Sequence, residues 1–384
     1  MFRFLHTADW QIGNRAFAFA DAERAPLLRQ ARVDVLDRIG ETAMARDSFC
    51  VLVAGDVFDA EDLSNQTLLA PLERMVRFPQ VHWHLLPGNH DPDRPERLWD
   101  RLARLGLPQN VHLARAAEPV RLADDAYLLP APLAARGHSD DPTEWMDAAA
   151  TPAGALRIGL AHGSIRDFGD SGAETALRET IAPDRARRAG LDYLALGDWH
   201  RVRRIDARTW YSGTPEPDAF YPPGEADSGE VLAVTLPAPG AEPRVEPVRT
   251  GRYRWLQMAA ALHGSADIDA LVAQARGLDP DPGRVFLRLR VEGALSLADR
   301  ARFSTEVEER LAAALFGLNL DESGLLPEPN ADDLDAIDRE GGLVRGAADA
   351  LVRQIESGTR DDAATARQAL ALLYGLARRD GDSL

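Results

Sequence analysis

Short apolar runs, each closed by polar residues, punctuate the first two hundred positions of the sequence. Residues 2–6, 49–54, 81–86, 111–113, 127–129, 157–161 and 193–196 are too short for buried helices. They read as strands, and the unbroken ones as strands covered on both faces. Between them the period lengthens. In 26–44, Leu27, Leu28, Val33, Leu36 and Ile39 keep near-helical spacing behind Pro26, which suits a first turn. In 64–78, Ser64 is an N-cap for a helix that turns Leu68, Leu69, Leu72 and Met75 inward, and 96–105 is a third helix. Residues 134–154, rich in Asp, Ala and Pro, read as a loop with one helical turn. From 209 to 250 helices thin out, and strands at 209–212, 231–236 and 244–249 follow one another. The expectation is an α/β domain over 1–250 whose second half is antiparallel or mixed.

The composition changes after about residue 251. A helix at 268–276, a strongly alternating strand at 285–291 and a helix at 297–315 form a small α+β unit over 251–326. A Pro/Asn/Asp linker at 327–333 then leads to amphipathic helices at 343–355 and 363–376, so 327–384 reads as a C-terminal helical segment.

What closes the strands carries the chemistry. The first run ends in His6-Thr7-Ala8-Asp9-Trp10-Gln11, the second in Gly55-Asp56-Val57-Phe58-Asp59, and the third in Gly88-Asn89-His90-Asp91. Later runs end at His162-Gly163 and at Gly197-Asp198-Trp199-His200. Asp9 and Gln11, like Asp198 and His200, stand two apart and would share a face if the chain stays extended. In open α/β sheets ligands gather at the carboxyl ends of strands. One Asp in such a place is usually a cap or turn residue; five polar strand ends in one chain imply a site. Carboxylates and an amide mixed with imidazoles suit divalent manganese, iron, zinc or magnesium.

Charge and cysteine content narrow the setting. The chain has 384 residues, with 61 acidic against 44 basic side chains and a formal net charge of −17. That opposes nucleic-acid binding by net charge alone and leaves bound metals or a partner to supply positive charge. The single cysteine, Cys50, rules out a disulfide framework and a cysteine metal site, which fits a reducing cytoplasm. No secretory signal region and no apolar run long enough for a membrane span is expected.

The ordered motifs resemble those of the calcineurin-like metallophosphoesterases. His6-Thr7-Ala8-Asp9-Trp10, Ala54-Gly55-Asp56-Val57-Phe58-Asp59 and Pro87-Gly88-Asn89-His90-Asp91 look most like the SbcD-type DNA repair exonucleases of that superfamily. The resemblance covers about residues 1–250 by motif and implies a four-layer α/β/β/α core of two packed mixed sheets. The 251–326 unit stands where that family has its DNA-facing cap domain. The resemblance implies two divalent ions, with manganese favoured and magnesium next. Asp9 and His200 would bind one, Asn89 and His162 the other, and Asp56 would bridge them. His90 would be general acid to the leaving oxygen, with Asp59, Asp91 and His6 behind the ligands. Arg201, Arg203 and Arg204, directly after His200, would meet phosphates, and the alternative for them is a solvated face. It further implies a homodimer, and an SbcC-like coiled-coil ATPase docked on the C-terminal helices.

Two positions depart from the family pattern. Gln11 and Asp198 stand where histidines are usual, so Gln11 would offer a weaker carbonyl oxygen and Asp198 an added negative charge. Both changes favour harder ions over zinc. The expected activity is metal-dependent cleavage of DNA by an exonuclease, with endonuclease activity alongside. The rival readings are a phosphoesterase for another substrate and a non-catalytic subunit with a degenerate metal site. His82 and His84 read as ordinary sheet residues, His6 equally as a packed strand histidine, and His112, His138 and His263 carry no role.

Overall fold

The computed structural model describes residues 1–14, 23–134, 141–166, 180–221, 228–328, 330, 332, 333, 335 and 342–381; His138 and parts of the expected 134–154 loop and 327–333 linker lie outside them. The chain forms two compact units. One comprises Met1–Asp218 with Glu225–Tyr253, the other Ala219–Gly224 with Arg254–Leu384.

The strands of the first unit are β1 (Phe2–Thr7), β2 (Cys50–Val53), β3 (His82–Leu85), β4 (Val111–Leu113), β5 (Val120–Ala123), β6 (Ala126–Ala131), β7 (Leu156–His162), β8 (Ser164–Ile165), β9 (Thr180–Ile181), β10 (Tyr193–Gly197), β11 (Arg203–Arg204), β12 (Thr209–Tyr211), β13 (Glu230–Leu236) and β14 (Arg244–Arg249). They build two six-stranded sheets, ordered β14-β13-β1-β2-β3-β4 and β11-β12-β10-β7-β6-β5. β1 to β4 are mutually parallel, and β13 and β14 add antiparallel edges. In the second sheet β6, β7, β10 and β12 are parallel, flanked by antiparallel β5 and β11. Mixed sheets therefore form as the thinning of helices after residue 209 predicts.

Residue parity sets the layers. From β1 and β2, Leu5, Val51 and Val53 pack with Trp83 and Leu85 against helices α1 (Arg24–Ala45), α2 (Asn65–Met75) and α3 (Leu98–Leu105), through Val35, Leu36, Leu68, Met75 and Trp99. Their neighbours Phe4, Leu52 and Ala54 face the second sheet and meet Leu128, Ile158, Leu160, Tyr193 and Ala195. The outer face of the second sheet (Leu129, Leu194, Leu196, Tyr211) is covered by Met146 and by Ala186 of the short helix α4 (Arg185–Arg188). The result is an α/β/β/α sandwich. Ser64 caps α2, its side chain accepting from the Thr67 amide at 3.1 Å.

His6 lies between the sheets, fully buried. Its Nε2 donates to the Leu196 carbonyl (3.1 Å), so its Nδ1 accepts from the Tyr193 hydroxyl (3.0 Å). Burial, opposed by the Leu196 bond, lowers its pKa from 6.5 to about 3. The stability from keeping it neutral is complete above about pH 6.5 and is lost as pH falls toward about 3, by about 1.4 kcal/mol per pH unit. Denaturant unfolding of the chelated chain should therefore lose stability more steeply below pH 6.5 in wild type than in His6→Gln; equal slopes would contradict this account.

The second unit carries an all-parallel sheet of β15 (Arg254–Leu262), β16 (Val285–Leu295) and β17 (Gly317–Pro327). Helices α5 (Ser265–Arg276) and α6 (Leu297–Phe303) pack with it, α6 running on through a π-helical stretch, Ser304–Leu311. Its core joins Ile268, Leu271, Leu287, Leu289, Val291, Phe303 and Val307. Only the middle strand is evident in sequence. β15 contains Ala259-Ala260-Ala261, which favours a helix locally, yet it pairs residue for residue with Val285–Gly293. Tertiary pairing overrides propensity there. The C-terminal helices, Leu343–Ser357 and Arg360–Gly381, meet through Ala348, Leu370 and Tyr374, which also pack on Leu297. Among the described residues no helix is long and apolar enough to cross a membrane.

Candidate metal centre

All five polar strand ends lie at the carboxyl edges of the parallel strands β1, β2, β3, β7 and β10, and register brings these edges level. Thr7 pairs with Val53 and Val53 with Leu85 in the first sheet, and His162 pairs with Gly197 in the second. Beyond the pairing, the backbone leaves the extended region. Asp9, Gln11, Asp56 and Asp198 have φ of 54°, 45°, 51° and 102°. Left-handed residues of this kind cost about 1–3 kcal/mol and gather at functional sites. The expectation that Asp9 and Gln11, and Asp198 and His200, share a face because the chain stays extended is thus corrected: left-handed turns at Asp9, Gln11 and Asp198 break the extended chain.

Two glycines make room. Gly55 has φ 87°, and a Cβ on it would lie 2.4 Å from His162 Nδ1. A Cβ on Gly88 would lie 2.3 Å from Asp56 Oδ1. Both turns bring backbone against ligand candidates more closely than any side chain permits.

At the centre Asp9, Asp56 and His162 place one donor atom each within 4.8 Å of one another, and all three are buried. His162 Nδ1 donates to the Ala54 carbonyl (2.8 Å), so Nε2 is the nitrogen left to face a cation, 3.5 Å from Asp56 Oδ1. Among the described residues, that buried Nε2 has no hydrogen-bond partner. Asp56 Oδ1 accepts from the His90 amide at 2.9 Å.

The remaining candidates surround this group. The Asp198 amide donates to the Asp9 carboxylate (3.2 Å). Asp198 Oδ2 accepts from Ser164 Oγ (2.6 Å), and its Oδ1 accepts from Asn89 Nδ2 (3.3 Å) and lies 4.0 Å from His162 Nε2. With the Asn89 nitrogen committed to Asp198, its carbonyl oxygen is the donor a cation would meet. His200 Nε2 lies 3.9 Å from Asp9 Oδ1 and 3.3 Å from Gln11 Nε2. Gln11 therefore turns its nitrogen toward His200, while its Oε1 accepts from Asn14 (3.2 Å).

His90 sits at the rim, its side chain 38% exposed. Its Nδ1 donates to the Asp59 carbonyl (3.0 Å) and its Nε2 is 3.9 Å from Asp56 Oδ2. Asp91 is fully buried and ties two loops together by accepting from the amides of Phe58 (3.0 Å) and Gly88 (2.7 Å). His6, expected behind the ligands, bonds to none of them; it fastens the sheets as described above.

The arginines divide. Arg201 and Arg203 lie over the Trp199 ring, 5.5 and 5.1 Å from its centroid. Arg204 instead lies over Trp210 at 5.5 Å, donates to the Asp206 carbonyl (3.0 Å) and pairs with Glu242 (3.2 Å). In α4, buried Arg185 pairs with Asp141 and Asp147, while the exposed Arg187 and Arg188 pair with Asp184 and Asp147.

The electrostatics ask for a cation. Burial pushes the Asp9 carboxyl up to about 6, against the pull of His200 and His162, and the charges of Asp56 and Asp198 add to the rise. Burial disfavours a charge on His162, yet Asp56, Asp9 and Asp198 raise it to about 9. These groups hold protons because buried negative charge is in excess, and a divalent ion would displace them. Two buried carboxylates, an imidazole nitrogen with no partner and further oxygen and nitrogen donors fit such ions.

Sequence reasoning missed Asp218, Arg32 and Ser164. Asp218 Oδ2 lies 2.5 Å from His200 Nδ1, and Arg32 reaches the same carboxylate at 3.5 Å. Arg32 had a signal: it falls on the buried stripe of α1 with Leu28, Ala31, Val35 and Leu36. A charge there needs a buried partner. Asp218 and Ser164 have none, since the fold alone brings them to the site.

Comparison with known proteins agrees with this geometry. Residues 2–202 match the family model described as calcineurin-like phosphoesterase. Over 382 residues the chain is 31% identical to the D subunit of the nuclease SbcCD from Rhodobacter capsulatus, covering 84% of this chain and 86% of that one. With a matching family model, a relative aligned along most of its length and a buried Asp/His cluster at the strand ends, the chain belongs to the calcineurin-like phosphoesterases.

Proposed function

We propose that this chain is a metal-dependent DNA phosphodiesterase, an exonuclease with endonuclease activity, that processes DNA ends. The observation carrying the proposal is the buried Asp9–Asp56–His162 group, with His162 Nε2 aimed at Asp56. The likeness to one chain of a nuclease points to DNA as substrate.

Two divalent ions, manganese before magnesium, would supply positive charge at the phosphoryl oxygens and activate a water at neutral pH. Asp9 and His200, with Gln11 beside them, would hold one ion; Asn89, His162 and Asp198 would hold the other; Asp56 would be shared between them. Asp59 fixes the His90 ring so that Nε2 faces the substrate side. The Asp59 hydrogen bond raises the His90 pKa against burial, and Asp56 raises it further, which suits a proton donor to the leaving oxygen. Arg201 and Arg203, close after His200 and lying over the Trp199 ring, would meet the DNA backbone. The 251–326 segment serves as the DNA-contacting cap domain.

A net charge of −17 weakens unaided DNA binding, which favours action within a complex. Leu343 is 93% exposed and Leu372 70% exposed on the C-terminal helices. These apolar residues suit docking of an SbcC-like coiled-coil ATPase, with the chain itself a homodimer.

The test is cleavage of end-labelled linear duplex DNA by the purified chain with manganese, alone and with the partner ATPase. Degradation that chelator abolishes and manganese restores is expected. Two bound ions with hydrolysis of small diesters but not of DNA would point to another substrate. Absence of bound metal would make the chain a non-catalytic subunit.

A further inference from the structure

We infer that Asp218 and Arg32 are a positioning pair that holds His200 as a metal ligand and joins it to the loop carrying Asp9. The inference rests on the metal-centre reading above. Neither residue belongs to a strand-end motif, and both become visible only once the chain is folded.

The hydrogen-bond directions make the case. Asp218 Oδ2 is 2.5 Å from His200 Nδ1. A carboxylate can only accept, so Nδ1 carries the proton and Nε2 is left as the nitrogen that can bind a cation. That Nε2 faces the Asp9 carboxylate at 3.9 Å, and the Gln11 amide nitrogen, a donor, stands 3.3 Å from it. Tautomer and ring direction thus both agree with ligation, and both are set by Asp218. Carboxylates in this place on metal-binding histidines raise ligand basicity and fix orientation.

Asp218 needs support because its side chain is only 10% exposed. Arg32 NH2 supplies it, 3.5 Å from the same oxygen, and the Arg32 side chain is itself 2% exposed. A second arm of the same guanidinium, NH1, donates to the Trp10 carbonyl at 2.9 Å. Trp10 is the residue between Asp9 and Gln11. One buried side chain from the middle of α1 therefore ties the loop after β1 to the group that orients His200. Stability does not require such a pair, since replacing buried ion pairs by apolar side chains is often neutral or stabilising. A role in positioning accounts for a guanidinium on the apolar stripe of α1.

The test is metal binding by the full chain rather than activity. Free manganese would be counted by electron paramagnetic resonance during titration, and the visible spectrum recorded after cobalt substitution. The proteins are wild type, His200→Ala, Asp218→Asn, Asp218→Glu and Arg32→Met. Wild type is expected to bind two ions. Asp218→Asn should weaken one of them by about 10- to 100-fold, leave the other unchanged and alter the cobalt spectrum. Asp218→Glu should recover part of the loss, and Arg32→Met should weaken the same ion. Thermal unfolding of the chelated proteins controls for folding.

If His200→Ala loses an ion while Asp218→Asn and Arg32→Met bind both as wild type does, the positioning role is overturned and the metal centre stands. If His200→Ala keeps both ions, the assignment of His200 fails and this inference falls with it. A lower unfolding midpoint in the Asp218 variants with an unchanged cobalt spectrum would mean a structural role only, and would also overturn it.

Discussion

Asp56→Asn is expected to abolish metal-dependent phosphodiester cleavage while leaving the chain folded. Asp56 is 2% exposed at the carboxyl end of β2, with Oδ1 2.9 Å from the His90 amide and 3.5 Å from His162 Nε2. Asn keeps the shape, and like Asp it tolerates the left-handed backbone at φ 51°. The substitution therefore removes charge and little else. It takes the shared carboxylate from the proposed pair of ions, and with it several kcal/mol of transition-state stabilisation, which is on the order of 10³-fold or more in rate. Bound manganese should fall below two ions per chain in the same preparation. Unfolding in chelator should still show a cooperatively folded chain, because the Asp56 charge both adds to the repulsion that raises Asp9 and Asp91 and balances the charge on His162. Activity within tenfold of wild type, with both ions retained, would refute the shared-ligand assignment.

His90→Ala is expected to separate chemistry from metal binding. His90 is the most exposed of the site's imidazoles, and its Nε2 lies 3.9 Å from Asp56 Oδ2. The Asp59 carbonyl holds Nδ1 at 3.0 Å, which leaves Nε2 to serve the substrate. Loss of a general acid costs about 10²- to 10⁴-fold in kcat. That loss should appear on duplex DNA, whose leaving sugar oxygen needs a proton. It should shrink to a few-fold on a p-nitrophenyl phosphodiester, whose leaving phenolate does not. Both manganese ions should remain. Equal losses on the two substrates would assign His90 to charge stabilisation instead of proton donation, and loss of an ion would assign it to the ligand set.

The two expectations draw on different kinds of legibility. The parallel strands were readable because β2 and its neighbours are buried on both faces and so appear as unbroken apolar runs. The polar residues closing those runs were readable because ligands in such sheets collect at one edge. β15 and β17 were not. β15 mixes Trp255, Leu256 and Met258 with three alanines, and β17 intersperses leucines with Asn, Asp, Glu and Ser, so neither gives a clean period; pairing with β16 makes them strands. Asp91 also shows a limit. Its neighbour His90 marked the turn, but that Asp91 clasps the amides of Phe58 and Gly88 depends on two loops meeting in space.

By itself the sequence determined the strand–helix alternation and the residues grouped at the strand ends, which follow from local period and spacing, and its motifs carried the family resemblance. Only the tertiary structure decided how those residues act. It aimed Asp9, Gln11, Asp56 and Asp198 by left-handed turns where an extended chain was expected. It set His6 between the sheets instead of behind the ligands and engaged Arg204 with Glu242, Asp206 and Trp210. It brought Arg32 and Asp218 to His200 from positions 168 and 18 residues away in the sequence. The physical reason is the same throughout: hydrogen-bond direction and burial are set by groups distant along the chain, and no local pattern records them.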